Sequence, residues 1–218
     1  VIFVGDSAHV VSPFGARGGN GGLQDVDALG WRLAAVLQGA PERLLEGYDR
    51  ERTFGADENI LNSSRATRFM SPADGAERWF RDATLALASE AAFARPMVNS
   101  GRLSVPCVYP LDAPDDGRLP ALSRPGAVAP DAPVENGWLL NRLGGRFMLL
   151  AIGTPAPVGL EIDVLDLSAD DAIARRYLGT MSSALYLIRP DQVIGARWVA
   201  AQPETIATHL RAIQEGTA

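Results

Sequence analysis

The first 34 residues, VIFVGDSAHVVSPFGARGGNGGLQDVDALGWRLA, constrain the fold more than any other stretch. Val1–Val4 reads as a short buried strand. Gly5-Asp6 breaks it and a glycine-rich loop follows. A helix is expected from about Gly21, carrying Leu29, Trp31 and Leu33 on its core side. A strand with an acid at its end, then a glycine loop and a helix N-terminus, makes a place for a polar cofactor. Read without context, Asp6 either caps the following loop or offers a carboxylate to cofactor hydroxyls.

Composition removes several alternatives. The chain has 218 residues, a net charge of −6 and no Lys. Its acidity is spread evenly, which gives no sign of a nucleic-acid or anionic-membrane partner. Without Lys there is no Schiff-base chemistry and no Walker-type phosphate loop. One cysteine, Cys107, excludes a disulfide framework and a thiolate zinc site. His9 and His209 stand apart and make no typical metal cluster. No apolar run has the length of a membrane span, and a cytoplasmic location is the default expectation.

Helical patterning continues from Pro41 to about Thr67, with Leu44, Leu45, Tyr48 and Phe54 at helical spacing. Ser71–Asp74 reads as a break, and a further helix is expected from Gly75 to Ala94, ended by Pro96. Residues 101–134 are rich in Pro, Gly and Asp, as in a linker or wrapping loop. The pattern then changes to short strands: Phe147–Ile152, Leu160–Leu167, Ala184–Ile188 and Val193–Val199, the last two joined by the turn Arg189-Pro190-Asp191-Gln192. Ser168 is expected to cap a helix running to Tyr177. Pro203 opens a final helix with Ile206, Leu210 and Ile213 on one face.

The pattern Gly5-Asp6, small pair, His9, Pro13, Gly15, Gly18, Asn20, Asp25 resembles the second FAD-binding motif of the flavoprotein aromatic hydroxylases, of the phenol hydroxylase type. The resemblance implies that Asp6 holds the ribityl chain of FAD. It places Pro13 beside the flavin ring, and Gly18, Gly19 and Asn20 at the pyrimidine end, where a helix N-terminus stabilises negative charge; Gly5 and Gly15 count among the cofactor-binding residues of the same motif. It makes His9 and Asp25 structural, and Tyr48-Asp49-Arg50-Glu51-Arg52 a segment of ion pairs and packing. Ala16-Arg17 departs from the commoner Gly-Gln of that loop, and Arg17 is read as a solvated cation in preference to one facing flavin or substrate.

Residues 135–218 resemble the thioredoxin-like domain that ends many such enzymes, although Gly153–Pro157 holds no cysteine where a redox pair would stand. The expected fold class is α/β: the helical tail of an FAD-binding domain (1–100), a linker (101–134) and a thioredoxin-like sandwich (135–218). The chain opens inside the motif without an initiator Met or a first dinucleotide fingerprint. It is therefore expected to be a C-terminal fragment of an FAD-dependent, NAD(P)H-driven monooxygenase acting on a small phenolic substrate. The fragment alone is expected to be inactive, with no catalytic residue legible in it, and to form a homodimer through residues 1–100. A non-catalytic folding or dimerisation module stays open as an alternative. So does a fragment of another flavoenzyme of the same fold, such as a halogenase or reductase.

Overall fold

Helix α1 spans Gly18–Leu37 and α2 spans Leu44–Met70. A computed structural model describes residues 1–13, 17–102 and 105–217. It gathers their contacts into two units, Val1–Val26 with Arg52–Cys107 and Asp27–Glu51 with Val108–Ala218. Both helices therefore contribute residues to each unit.

In the first unit, Val1–Val4 is not a strand, and its first three residues are exposed. A strand exists only in a ladder, and none of the described strands pairs with this segment. Gly5–Ser7 forms a single 3-10 turn, with Gly5 at a φ of 58°. Helix α1 starts three residues earlier than the sequence suggests, so Gly18, Gly19 and Asn20 lie in its first turn. Helix α3, Ala76–Glu90, buries only Thr84. Pro96 does not end this helix; it stands in the first turn of a separate four-residue helix, α4 (Arg95–Val98), where its missing N–H costs nothing. Among the described hydrophobic side chains of this unit, only Ala56, Ala94 and Cys107 are buried, while Phe3, Leu23, Trp79, Phe80 and Phe93 are exposed.

The second unit is built on a four-stranded sheet in the order β4-β3-β5-β6. These strands are β3 (Met148–Ile152), β4 (Asp163–Leu167), β5 (Ala184–Ile188) and β6 (Ile194–Trp198), preceded by a two-residue hairpin, β1 (Pro133–Val134) and β2 (Gly137–Trp138). β3 and β4 are parallel, and the β3–β5 and β5–β6 pairs are antiparallel. Every residue of β3, β5 and β6 is buried, so the sheet is covered on both faces. On one face Leu150, Ile152, Tyr186 and Ile188 pack with Ile173, Tyr177 and Leu139. On the other, Leu149, Leu185, Leu187 and Ala196 pack with Ile206, Leu210 and Ile213 of α6 (Pro203–Gln214). Trp31 of α1 joins this second face, edge-on to Phe147 at 5.5 Å. Leu33 was expected in the core and is exposed. The buried side of α1 runs through Ala28 and Arg32, and Leu33 lies about 100° further round.

The helix after β4 is capped by Asp170 rather than Ser168. Asp170 is extended and its carboxylate accepts the Ile173 N–H at 2.8 Å, after which α5 (Asp171–Ile173) passes into a π turn, Ala174–Leu178. The Pro- and Gly-rich segment wraps the outer edge of β6. Gly126 donates to the Ile194 carbonyl, Ile194 to Ala127, and Ala129 to Gln192, at 2.8–2.9 Å. An otherwise open sheet edge is thereby closed. Among the described residues no helix is long and apolar enough to cross a membrane, and no cluster of His, Cys, Asp or Glu could hold a metal ion.

Candidate functional site

The candidate site is the turn and helix start of the first unit. Asp25 on α1 is fully buried, and its two oxygens take three donors. Oδ2 accepts the Gly5 backbone N–H at 2.7 Å and His9 Nε2–H at 2.8 Å; Oδ1 accepts Arg52 Nε–H at 2.6 Å. Arg52 also donates to the Gly21 carbonyl at 3.2 Å and to Gln24 Oε1 at 3.4 Å. Burial by itself would raise the Asp25 pKa, but the Arg52 guanidinium and the other donors outweigh it and hold the carboxyl below the ordinary aspartate range.

Glycines allow this close approach. A Cβ on Gly22 would lie 3.4 Å from Gly5 Cα, and one on Gly21 would lie 3.1 Å from His9 Cε1. The result is a turn tied to the side of α1 through a buried carboxylate. Asp6, next to the tethered Gly5, is exposed, and among the described residues its carboxylate takes no hydrogen bond. Pro13 is also exposed. At the helix start, a Cβ on Gly18 or Gly19 would meet nothing within 4 Å among the described residues, so α1 is open at these two positions. Backbone N–H groups in a first turn have no intrahelical acceptor, and the helix end carries partial positive charge. An exposed carboxylate on the turn and an open, positive helix start are the donor and acceptor set that a hydroxylated, electron-rich cofactor requires. The residues present therefore fit the ribityl and flavin part of FAD. Gly15 lies outside the described residues.

His9 has no exposed catalytic face. Its Nε2 is committed to Asp25, and Nδ1 is buried without a partner. Arg17 is not a solvated cation: it is buried and donates to the Val105 carbonyl at 2.8 Å.

The Tyr48–Arg52 segment does make ion pairs. In the second unit, Glu51 accepts from Arg32 Nη2 at 2.8 Å and from Arg189 Nη1 and Nη2 at 2.7 and 2.8 Å. Asp191 accepts from Arg189 at 2.6 and 3.0 Å and from Trp31 Nε1 at 3.0 Å, with the Arg32 guanidinium 4.5 Å above the Trp31 ring. Burial works against the Asp191 charge, and Arg189 and Arg32 more than offset it, lowering its pKa. The sequence gives the charges of this network but not its partners, which stand up to 160 residues apart.

Residues 1–63 match the family of the FAD binding domain. The chain is 32% identical over 198 residues to a flavin-dependent monooxygenase of Mycobacteroides abscessus, covering 89% of this chain and 36% of that protein. It is 30% identical over 217 residues to the 12-dehydrotetracycline 5-monooxygenase/anhydrotetracycline 6-monooxygenase of Streptomyces rimosus subsp. rimosus, covering 94% and 40%. Its structure matches that of the rebeccamycin biosynthetic enzyme RebC with reduced flavin, at a TM-score of 0.70 and 26% identity, over 99% of this chain and 44% of that one. The chain thus spans less than half the length of these relatives. Its sequence and its α/β fold are similar to a portion of these proteins.

Proposed function

We propose that this chain is the part of an FAD-dependent, NAD(P)H-driven monooxygenase that holds the ribityl and flavin end of the cofactor, and that the complete enzyme hydroxylates a small aromatic, phenolic substrate. One observation carries the reading. Among the described residues, the exposed Asp6 carboxylate takes no hydrogen bond, and it sits on a turn tethered to the helix whose first turn is open at Gly18 and Gly19. Asp6 would accept ribityl hydroxyls. Gly5 and Pro13 would shape the approach, and Gly18, Gly19 and Asn20 would set the positive helix end at the pyrimidine edge. Gly15 belongs to the same set by its place in the motif. Bound FAD supplies the redox chemistry of hydroxylation; the chain binds it, orients it and biases its charge. The relative named 12-dehydrotetracycline 5-monooxygenase/anhydrotetracycline 6-monooxygenase supports an aromatic, polycyclic substrate class.

The same reading keeps the divisions 1–100, 101–134 and 135–218. It assigns the last of these to a thioredoxin-like domain that packs and associates rather than exchanges disulfides. It places the protein in the cytoplasm and makes the fragment a homodimer. The exposed aromatic side chains of the first unit support association.

The direct test is Asp6→Ala in the complete enzyme. A lost hydrogen bond to a charged acceptor costs about 1.5–3 kcal/mol, so FAD affinity should fall by roughly tenfold to a hundredfold. Unchanged affinity would remove Asp6 from the site.

A further inference from the structure

We propose that Asp25, with His9 and Arg52, is the positioning device of the cofactor site: it sets the place of Asp6 relative to the open start of α1 and touches no cofactor itself. This rests on the FAD reading above. Asp25 is fully buried, so no ligand reaches it. Its three donors come from two separate stretches of chain: the Gly5 N–H and His9 at the two ends of the turn that carries Asp6, and Arg52 on α2. Asp25 itself lies five residues after Asn20 on the helix whose first turn is open at Gly18 and Gly19. One carboxylate therefore fixes both halves of the site against each other.

The chemistry of each partner is particular. Arg52 supplies the charge that keeps Asp25 ionised in a buried place, and its hydrogen bonds to the Gly21 carbonyl and Gln24 hold it on the same helix. His9 donates to the carboxylate through Nε2–H. A proton on Nδ1 would be buried with no acceptor, so the bond to Asp25 selects the tautomer. A side chain that presents one N–H at the same reach can replace it; an imidazole as such is not required. Gly21 and Gly22 leave the room that this packing needs.

The account makes Asp25 act through Asp6, and a double-mutant cycle in the complete enzyme measures that. FAD dissociation constants are read by flavin fluorescence for Asp6→Ala, Asp25→Asn and the double variant, with circular dichroism of each apoprotein as the fold control. Each single substitution should weaken FAD by roughly tenfold or more, the scale of one hydrogen bond to a charged group. The double variant should bind no more weakly than the weaker single one. Additive losses would overturn the proposal, as would an Asp25→Asn enzyme with unchanged affinity beside a weakened Asp6→Ala. An Asp6→Ala enzyme with unchanged affinity would instead sink the cofactor reading, and this inference with it. If Asp25→Asn fails to fold, the His9 pair decides: His9→Gln should retain FAD affinity and His9→Ala should lose it, and equal affinities in the two would contradict the positioning role.

Discussion

At the scale of single residues, two carboxylates with opposite surroundings organise the molecule. Asp6 is exposed and takes no hydrogen bond among the described residues, while Asp25 is buried and saturated. The first suits a ligand, and the second suits the scaffold that presents it. Glu51 follows the scaffold logic in the sheet-containing unit, where Arg32 and Arg189 both close on it. Glu51→Gln leaves those two guanidiniums buried with one fewer charge to answer them. Breaking such a pair from one side costs about 3–5 kcal/mol, and urea unfolding should show a loss of that order. A loss within experimental error would mean that solvent reaches the cluster.

At the scale of elements, the start of α1 matters most. Among the described residues a Cβ on Gly18 or Gly19 has no neighbour, whereas Gly5, Gly21 and Gly22 are in close packing or left-handed backbone. The two groups should respond differently to added bulk. Gly19→Val in the complete enzyme should leave the melting temperature of the apoprotein nearly unchanged and weaken FAD binding. A destabilised apoprotein with normal FAD affinity would reverse that assignment. The elements also show what a linear pattern can carry. Ala184–Ile188, the turn to Gln192 and the apolar face of α6 are legible because periodicity and turn chemistry are local. The Val1–Val4 strand is misread because four apolar residues state a preference, while a strand also requires a neighbour. Arg17 is misread for a related reason: its acceptor, Val105, stands 88 residues away. The motif from Gly5 to Asp25 marks the candidate site in sequence and reads His9 and Asp25 as structural; the hydrogen bonds that make Asp25 a tether become visible only in three dimensions.

At the scale of the whole molecule, the two units differ in how they use apolar surface. The sheet-containing unit buries large side chains on both faces of its sheet. The other unit leaves Trp79, Phe80, Phe93 and the first three residues of the chain exposed, and exposed apolar surface of this kind recruits partners. Light scattering of residues 1–218 should therefore report an oligomer, most simply a two-fold dimer. A stable monomer at micromolar concentration would contradict it.

The flavin content of the complete enzyme, compared with that of residues 1–218 alone, tests the central claim most directly. The turn and helix start are assigned the ribityl and flavin contacts, and the adenosine and pyrophosphate contacts are assigned to sequence outside these residues. The complete enzyme should therefore purify with stoichiometric FAD that NAD(P)H reduces, and residues 1–218 alone should retain none of it. A complete enzyme that carries no flavin, or one whose FAD is unaffected when Asp6 and Asp25 are both replaced, would contradict the account.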